Sequence, residues 1–142
     1  MRFKKLHPNA KQPTYGTVYS AGADLYACEG AKDIMPGDTV VIHTGIALEI
    51  PTNHVGLIFA RSGLATKRGL APANKVGVID SDYRGEIKIV LHNHSRYSQS
   101  VEQGERVAQL LVIPYGMVYF EEVEELTDTE RGNGGFGSTG EK

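Results

Sequence analysis

The chain has 142 residues, 17 of them glycine, and a formal net charge of −2; this length fits one domain. It has no apolar run near the roughly 20 residues that a membrane span requires, its first eight residues lack the apolar core of a signal peptide, and its single cysteine, Cys28, cannot form an internal disulfide. The small negative charge excludes a nucleic-acid-binding surface over the whole molecule, and we expect a cytoplasmic protein, in the host cytoplasm if a virus or phage encodes it.

In chain order, the sequence predicts short β-strands almost throughout. Runs of β-branched residues and alternation of polar with apolar residues are typical of half-buried strands. They occur at residues 39–44, 46–50, 55–60, 86–93, 106–113 and 117–123. A single short helix is predicted at residues 62–68, with Ser62 placed to cap it and Gly69 to end it. Many short strands separated by turn sequences favour a sandwich, a barrel or a jelly roll.

The end of the chain differs in composition, since five of the ten residues at 131–140 are glycine. Such a segment buries too little apolar surface to order itself. We predict a β-rich core at residues 1–123, followed at 124–142 by an acidic turn and a mobile glycine-rich arm. A plain flexible linker is the alternative, but Arg131, Phe136, Ser138 and Thr139 favour a lid over a nucleotide. Arginine and hydroxyl groups bind phosphate, and an aromatic ring stacks on a base.

Two further segments carry groups that suit phosphate chemistry. Arg61, Ser62 and Gly63 stand where a strand gives way to the helix, and a helix N-terminus with an adjacent arginine binds anions. A simple helix cap is the alternative. Asp80 directly follows an apolar strand, so that a partly desolvated carboxylate there could act as a general base. With Asp82 it could also recruit Mg²⁺ through water, although an ordinary β-turn with solvated aspartates is the alternative.

Other candidate residues have weaker signals. Asp24 opens a strand and supplies another acid, and Gln109 places one amide within an apolar strand, where it requires hydrogen-bond partners. A structural hydrogen bond to a neighbouring loop would be enough to explain Gln109. His92 and His94 lie two residues apart, which is weak evidence for zinc, and we expect them to be structural or surface residues. We expect Cys28 to be a small buried residue.

Five segments, in this order, resemble the five motifs of the trimeric dUTPase family. They are Ala-Gly-Ala-Asp-Leu-Tyr-Ala at 21–27, Arg-Ser-Gly-Leu-Ala at 61–65, Gly-Val-Ile-Asp-Ser-Asp-Tyr-Arg-Gly-Glu at 77–86, Gly-Glu-Arg-Val-Ala-Gln-Leu at 104–110 and Arg-Gly-Asn-Gly-Gly-Phe-Gly-Ser-Thr-Gly at 131–140. The resemblance covers nearly the whole chain. It implies a mostly β, jelly-roll-like (β-clip) subunit with one short helix, in a homotrimer whose three active sites are shared between chains.

The resemblance also implies a reaction. The family hydrolyses dUTP to dUMP and pyrophosphate with Mg²⁺, which keeps uracil out of DNA and supplies dUMP for thymidylate synthesis. Asp80 then resembles the base that deprotonates the attacking water, with Gln109 beside it as a second catalytic residue, and Asp24 resembles the acid that holds a metal-bound water. The residues implied in substrate binding are Arg61, Ser62, Gly63, Asn74, Gly77, Ile79, Tyr83, Lys88, Arg131, Phe136, Gly137, Ser138 and Thr139.

Particular roles follow for some of these by resemblance. Asn74 and the hairpin backbone would recognise uracil, and the ring of Tyr83 would pack on the deoxyribose. Phe136 would stack on the base when the arm closes. Neither nucleic acid nor a membrane is expected to bind directly.

Two alternatives remain open at this stage. A dCTP deaminase shares the fold, but it would need an acid and base near the exocyclic amine, whereas the arm and the hairpin with Asp80 and Tyr83 favour hydrolysis. A non-catalytic trimeric binding or regulatory module would have no reason to retain Asp80, Gln109 and Arg131 together.

Overall fold

The computed structural model describes residues 1–135, and nearly all of its regular structure is β. The elements are β1 (Arg2–Lys5), β2 (Thr14–Tyr15), β3 (Ala23–Tyr26), β4 (Ala31–Ile34), β5 (Thr39–Glu49), β6 (His54–Phe59), α1 (Ser62–Arg68), β7 (Leu70–Pro72), β8 (Gly77–Ile79), β9 (Glu86–Asn93), β10 (Gln99–Val101) and β11 (Arg106–Pro114). No helix in this part of the chain is long and apolar enough to cross a lipid bilayer.

The strands form three antiparallel sheets in a jelly-roll-like arrangement. One sheet has the order β1-β5-β9-β7, a second has the order β2-β3-β11-β6-β8, and β10 pairs with β4 in a two-stranded ribbon. Neighbours in the sheets are mostly distant in sequence, as in β3 beside β11. The mostly β, jelly-roll-like fold predicted from the sequence is confirmed.

All three sheets contribute to one apolar core. The four-stranded sheet supplies Ile89 and Leu91, the five-stranded sheet supplies Leu25 and Leu110, and the ribbon supplies Val101, all of them buried. Strand β9 alternates between buried and more exposed positions, as its sequence predicts. The core therefore holds the two larger sheets in a fixed relation, and the functional side chains project from this rigid frame.

Helix α1 begins and ends close to the predicted positions, but Ser62 does not cap it. The N-cap residue is Arg61 and no side chain caps the helix, so Ser62 is the first helical residue. Gly69 ends the helix in the left-handed conformation at φ 68°, as predicted, and donates its N–H to the carbonyl of Ala65. Ser62 fails as a cap because the extended residue lies one position earlier.

Two strand predictions also need correction. Residues 39–44 and 46–50 form most of one strand, β5, in which Gly45 at φ 66° lies within a break in register rather than in a turn. Residues 117–123 form no strand and their large apolar side chains are exposed. Val118, Tyr119 and Phe120 have high β propensity, but a strand needs a partner, and the described chain offers none there.

Candidate active site

A cleft of about 950 Å³ collects residues from three of the five segments singled out in the sequence. We call it the basic cleft. Its lining includes Gly22, Asp24, Arg61, Ser62, Gly63, Lys75, Arg106 and Gln109. A cleft of this size suits a nucleotide-sized ligand.

Strand register explains how these residues meet. Gln109 on β11 lies opposite Asp24 on β3 and, on its other side, opposite Phe59 at the end of β6. Arg61 follows two residues after Phe59, at the point where the chain turns into α1. Residues 24, 61 and 109 are therefore far apart in sequence, but the pairing of the three inner strands of the five-stranded sheet brings them together.

Asp24 is held by two arginines. Arg61 donates from Nε to Oδ1 at 2.8 Å, and Arg106 donates from Nη1 to Oδ2 at 3.2 Å. The Asp24 side chain is only 11% exposed, and a charge so nearly buried requires such partners. Two guanidinium groups against one carboxylate leave the cleft with an excess of positive charge, which suits an anion.

Gln109 is fixed from two sides. Its Nε2 donates to the carbonyl oxygen of Ala60 at 2.9 Å, which is the structural hydrogen bond to a neighbouring loop that the sequence allowed. A Cβ at position 22 would lie only 2.6 Å from Oε1 of Gln109, so this close approach requires Gly22. The amide nevertheless lines the basic cleft, and its orientation is set before any ligand enters.

A second, smaller pocket of about 230 Å³ lies along the segment that connects β8 to β9. We call it the hairpin pocket. It is lined by Val78, Ile79, Asp80, Tyr83, Glu86 and Lys88. The N–H of Tyr83 donates to the carbonyl of Asp80 at 3.2 Å, and the Tyr83 hydroxyl donates to the carbonyl of Glu86 at 3.1 Å.

The turn residues of the hairpin pocket leave no spare room around Tyr83. A Cβ at position 85 would lie 2.3 Å from Oη of Tyr83 and 2.5 Å from Cζ, so the phenol ring occupies the space that any side chain at Gly85 would need. Gly77 is buried, and a Cβ there would approach Ile58 to 3.2 Å and Asn74 Nδ2 to 3.4 Å. Asn74 itself is exposed in the turn before β8.

Asp80 differs from the expectation of a partly desolvated carboxylate, because it is exposed in this chain. It follows β8 directly, as predicted. However, nothing packed around it within residues 1–135 removes it from water. Any desolvation of this carboxylate must therefore come from a ligand or from another chain.

The two pockets have no lining residue in common. Asp24, Arg61, Ser62, Gly63 and Gln109 meet in the basic cleft, whereas Ile79, Asp80, Tyr83 and Lys88 line the hairpin pocket. Arg131 is exposed near the end of the described chain and donates from Nε to the carbonyl of Gly134 at 3.1 Å. Phe136, Gly137, Ser138 and Thr139 lie outside the described residues.

Three charged residues of these pockets were not singled out from the sequence. Arg106 lies in the segment at 104–110, but only its contact with Asp24 indicates a role for it. Lys75 lines the basic cleft and has a left-handed backbone at φ 64°, which no sequence pattern indicated. Glu86 accepts hydrogen bonds from His43 Nδ1 and the Gly45 N–H, both at 2.9 Å. Burial alone would raise the pKa of Glu86, but these hydrogen bonds outweigh it and hold the pKa below its ordinary value.

The remaining candidates behave as ordinary structural residues. Cys28 is buried, as expected, and burial, with the negative charges of Glu29 and Glu86, raises the pKa of its thiol. His92 shares a hydrogen bond of 2.8 Å with the Thr39 hydroxyl. Within residues 1–135, no group of three or more His, Cys, Asp or Glu side chains is arranged to enclose a metal ion.

A larger depression, about 1120 Å³, lies around Arg68, Gln99 and Glu105. It contains none of the site residues predicted from the sequence. The Arg68 guanidinium is already engaged by Glu105 and by the carbonyl of Ser100. Size alone is therefore a poor guide, and the excess of cations marks the basic cleft as the better candidate for an anionic ligand.

Together, the fold and the basic cleft define a mostly β protein with a candidate site for an anionic ligand. The family model for dUTPase matches residues 8–140. The chain therefore belongs to the dUTPase family, as the five motifs predicted.

Named relatives and solved structures agree with this assignment. The chain is 44% identical over 141 residues to the deoxyuridine 5'-triphosphate nucleotidohydrolase of Syntrophotalea carbinolica, covering 99% of this chain and 96% of the relative. It is 50% identical over 132 residues to the Acinetobacter baylyi protein of the same name, covering 92% and 88%.

Among solved structures, a mutant dUTPase of Staphylococcus bacteriophage 80alpha with dUpNHpp has a TM-score of 0.88 at 29% identity, covering 98% of this chain and 97% of the phage chain. A mutant dUTPase from phage phi11 of S. aureus, which coordinates a structural Mg(II) ion, has a TM-score of 0.78 at 26% identity, covering 87% and 96%.

Proposed function

We propose that the chain hydrolyses dUTP to dUMP and pyrophosphate. The observation that carries this proposal is the basic cleft, in which Arg61, Ser62 and Gln109 stand together in a chain of the dUTPase family. A water oxygen attacks the α-phosphorus and the bond from that phosphorus to the bridging oxygen breaks. The proton of the water passes to Asp80, and pyrophosphate leaves.

The basic cleft takes the triphosphate in this proposal. Arg61 reaches the phosphates while its Nε remains on Asp24, and Ser62 contributes its hydroxyl because it is not used to cap α1. Gly63 leaves the start of α1 open, since nothing lies within 4 Å of the place where its Cβ would be. The reaction needs positioning and charge neutralisation more than covalent participation.

The hairpin pocket takes the deoxyuridine. Asn74, Gly77 and Ile79 recognise the uracil edge, and the ring of Tyr83 packs against the sugar and leaves no room for a 2′-hydroxyl. Lys88 lines the same pocket. Arg131, with Phe136, Gly137, Ser138 and Thr139 from the glycine-rich arm, closes over the nucleotide.

We also propose a homotrimer with shared active sites. The two pockets have separate linings, and Asp80 is exposed, so neither pocket alone holds both the phosphate-binding groups and the base. Residues 115–126 carry apolar side chains that nothing within residues 1–135 covers, including Tyr119 at 95% and Phe120 at 96% exposure. A contiguous apolar segment of this kind is typical of an interface between chains. The division into a core at 1–123 and an arm at 124–142 remains a prediction within this proposal.

Mg²⁺ fits the basic cleft through water and substrate rather than through a protein cage. Both carboxylate oxygens of Asp24 already accept hydrogen bonds from arginines. Mg²⁺ usually keeps several waters and binds substrate phosphates beside one or two carboxylates, so Asp24 would hold a metal-bound water. When bound, the ion would neutralise charge on the departing pyrophosphate. We place this reaction in the cytoplasm, where a nucleotide pool is available.

The proposal is tested by measuring pyrophosphate release from dUTP, dCTP, dTTP and UTP with Mg²⁺. Rapid release from dUTP alone is expected, and formation of deoxyuridine nucleotide from dCTP would instead indicate a deaminase. Asp80→Asn should abolish turnover while retaining the fold and nucleotide binding, because the amide is nearly isosteric but cannot take the proton. Turnover within a few-fold of wild type would remove Asp80 as the base.

Sharing between chains is tested by co-expressing two inactive variants, one truncated after Glu130 and one full-length with Asp80→Asn. If arm and base come from different chains, some mixed trimers contain a complete site and activity partly returns. If each chain closes its own site, every site lacks one component. Mixed trimers demonstrated by mass spectrometry but without activity would refute sharing and leave the hydrolase assignment standing.

A further inference from the structure

Lys75 occupies a backbone conformation that its residue type disfavours. Within residues 1–135, only Asp33, Asn53 and Lys75 have positive φ among residues other than glycine. Aspartate and asparagine tolerate this left-handed region, whereas a long side chain there is uncommon and costs free energy. Lys75 adopts φ 64° in the turn between β7 and β8, where its N–H donates to the Pro72 carbonyl at 3.0 Å.

The turn itself does not require a lysine. The Pro72 hydrogen bond uses only the Lys75 backbone, and so does the bond of 2.7 Å from the Val76 N–H to the Asn74 carbonyl. Glycine or asparagine at position 75 would form the same turn with less strain. The lysine therefore weakens the turn locally, and a strained residue beside a functional cleft suggests a functional reason for its side chain.

Lys75 lines the basic cleft, together with Arg61, Ser62 and Gln109. No ion pair in the described part of the chain involves Lys75, whereas Arg61 and Arg106 are both engaged by Asp24. Asp24 thus offsets part of the charge of both arginines. In contrast, no carboxylate of the described residues forms an ion pair with Lys75, so its positive charge is not offset.

We propose that Lys75 is a further phosphate-binding residue, which attracts and holds the polyphosphate chain of the ligand by its charge. This inference rests on the proposed function for the identity of the substrate, but not for the binding of polyphosphate. An exposed ammonium on a flexible stem acts as a point charge and not as a directional donor. It should stabilise bound substrate and transition state about equally, and so act on KM more than on kcat.

The test uses Lys75→Asn, which removes the charge and suits the left-handed backbone, beside Lys75→Arg, which keeps the charge. For Lys75→Asn we expect a rise in KM for dUTP of about 3- to 5-fold at low salt, the size of one exposed charge interaction, with kcat nearly unchanged. Its melting temperature should equal or exceed that of wild type because backbone strain is relieved. Lys75→Arg should keep the wild-type KM.

Two controls separate the local charge from other causes. Lys4→Gln, on edge strand β1 of the four-stranded sheet, removes a charge from another part of the surface and should leave KM unchanged. Raising the ionic strength should narrow the difference between wild type and Lys75→Asn, since exposed charges are screened. Lower stability of Lys75→Asn, an unchanged KM at low salt, or an equal loss in Lys75→Arg would each overturn the proposal.

A binding measurement keeps this inference separate from the proposed function. Calorimetric titration with inorganic triphosphate should show weaker binding to Lys75→Asn than to wild type or Lys75→Arg. If wild type fails to hydrolyse dUTP but triphosphate binds more weakly to Lys75→Asn than to wild type, the proposed function fails and the role of Lys75 stands. If wild type hydrolyses dUTP and all three proteins bind triphosphate equally, the role of Lys75 is refuted and the proposed function stands.

Discussion

One methyl group at position 22 should impair catalysis while leaving the fold nearly intact. In Gly22→Ala, the new Cβ would lie 2.6 Å from Gln109 Oε1, 3.2 Å from Cβ and 3.3 Å from Cδ of the same side chain. To restore an ordinary contact, the amide oxygen must retreat by about 0.8 Å, and that retreat strains the hydrogen bond to Ala60. A displacement near 1 Å at a catalytic group can reduce the rate by about 100-fold.

The cost in stability should be smaller, because the atom in closest conflict is the far end of a flexible side chain. Loss of the hydrogen bond from Gln109 to Ala60 costs about 1 kcal/mol. We therefore expect kcat for dUTP to fall about 10- to 100-fold, with a change in unfolding free energy of about 1 kcal/mol. Pyrophosphate release gives the rates, and urea unfolding gives the stability.

Two comparisons decide whether the methyl acts through Gln109. Gly37→Ala is a matched control, since nothing lies within 4 Å of its new Cβ and its left-handed φ of 85° makes the methyl costly for stability alone; it should retain full activity. In a Gln109→Ala background, Gly22→Ala should cause little further loss, because the amide that it displaces is gone. Activity of Gly22→Ala within 2-fold of wild type, or additive losses in the double variant, would refute the reasoning.

Two further predictions concern the hairpin pocket. Gly85→Ala should displace the Tyr83 ring from its place on the turn, because a Cβ at position 85 would lie 2.5 Å from Cζ of Tyr83. The ratio of kcat/KM for dUTP to kcat/KM for UTP should therefore fall more than it does in Tyr83→Phe. An unchanged ratio would contradict the role given to the ring. Glu86→Gln should lower the free energy of unfolding near neutral pH by about 1–2 kcal/mol. Because the folded pKa of Glu86 is lowered, its contribution is complete above the ordinary carboxyl pKa of about 4.3 and is lost as the pH falls through the folded value. Urea unfolding from pH 7 to pH 3 should therefore show the unfolding free energies of wild type and Glu86→Gln converging in acid. A difference that stays constant with pH would contradict this explanation.

Sequence alone predicted those parts of the fold that depend on local pattern. Strand β9 was predicted with its observed bounds, because polar and apolar residues alternate along a strand with one buried face. The segment at 117–123 has equally strong β propensity, but pairing depends on a neighbouring strand, which propensity cannot supply. The same is true of Ser62. The sequence predicted where the helix starts, but not which residue before it keeps extended dihedral angles.

The candidate site divides in the same way. Residue types and their order identified Asp24, Arg61 and Gln109, and strand register then brought them into one cleft. Lys75 could not be predicted from its residue type, because only its backbone dihedral angle and its unpaired charge mark it as a candidate. The exposure of Asp80 was equally inaccessible, because desolvation depends on what surrounds a side chain in three dimensions.

The two aspartates of the site have the same side chain but different contacts. Asp24 is nearly buried, and each of its oxygens accepts a hydrogen bond from an arginine. Asp80 is exposed, and no ion pair of the described residues involves it. From the sequence, both were candidate acids next to predicted strands. These surroundings fit the proposed roles, in which Asp24 holds the arginines and a metal-bound water in place and Asp80 takes the proton.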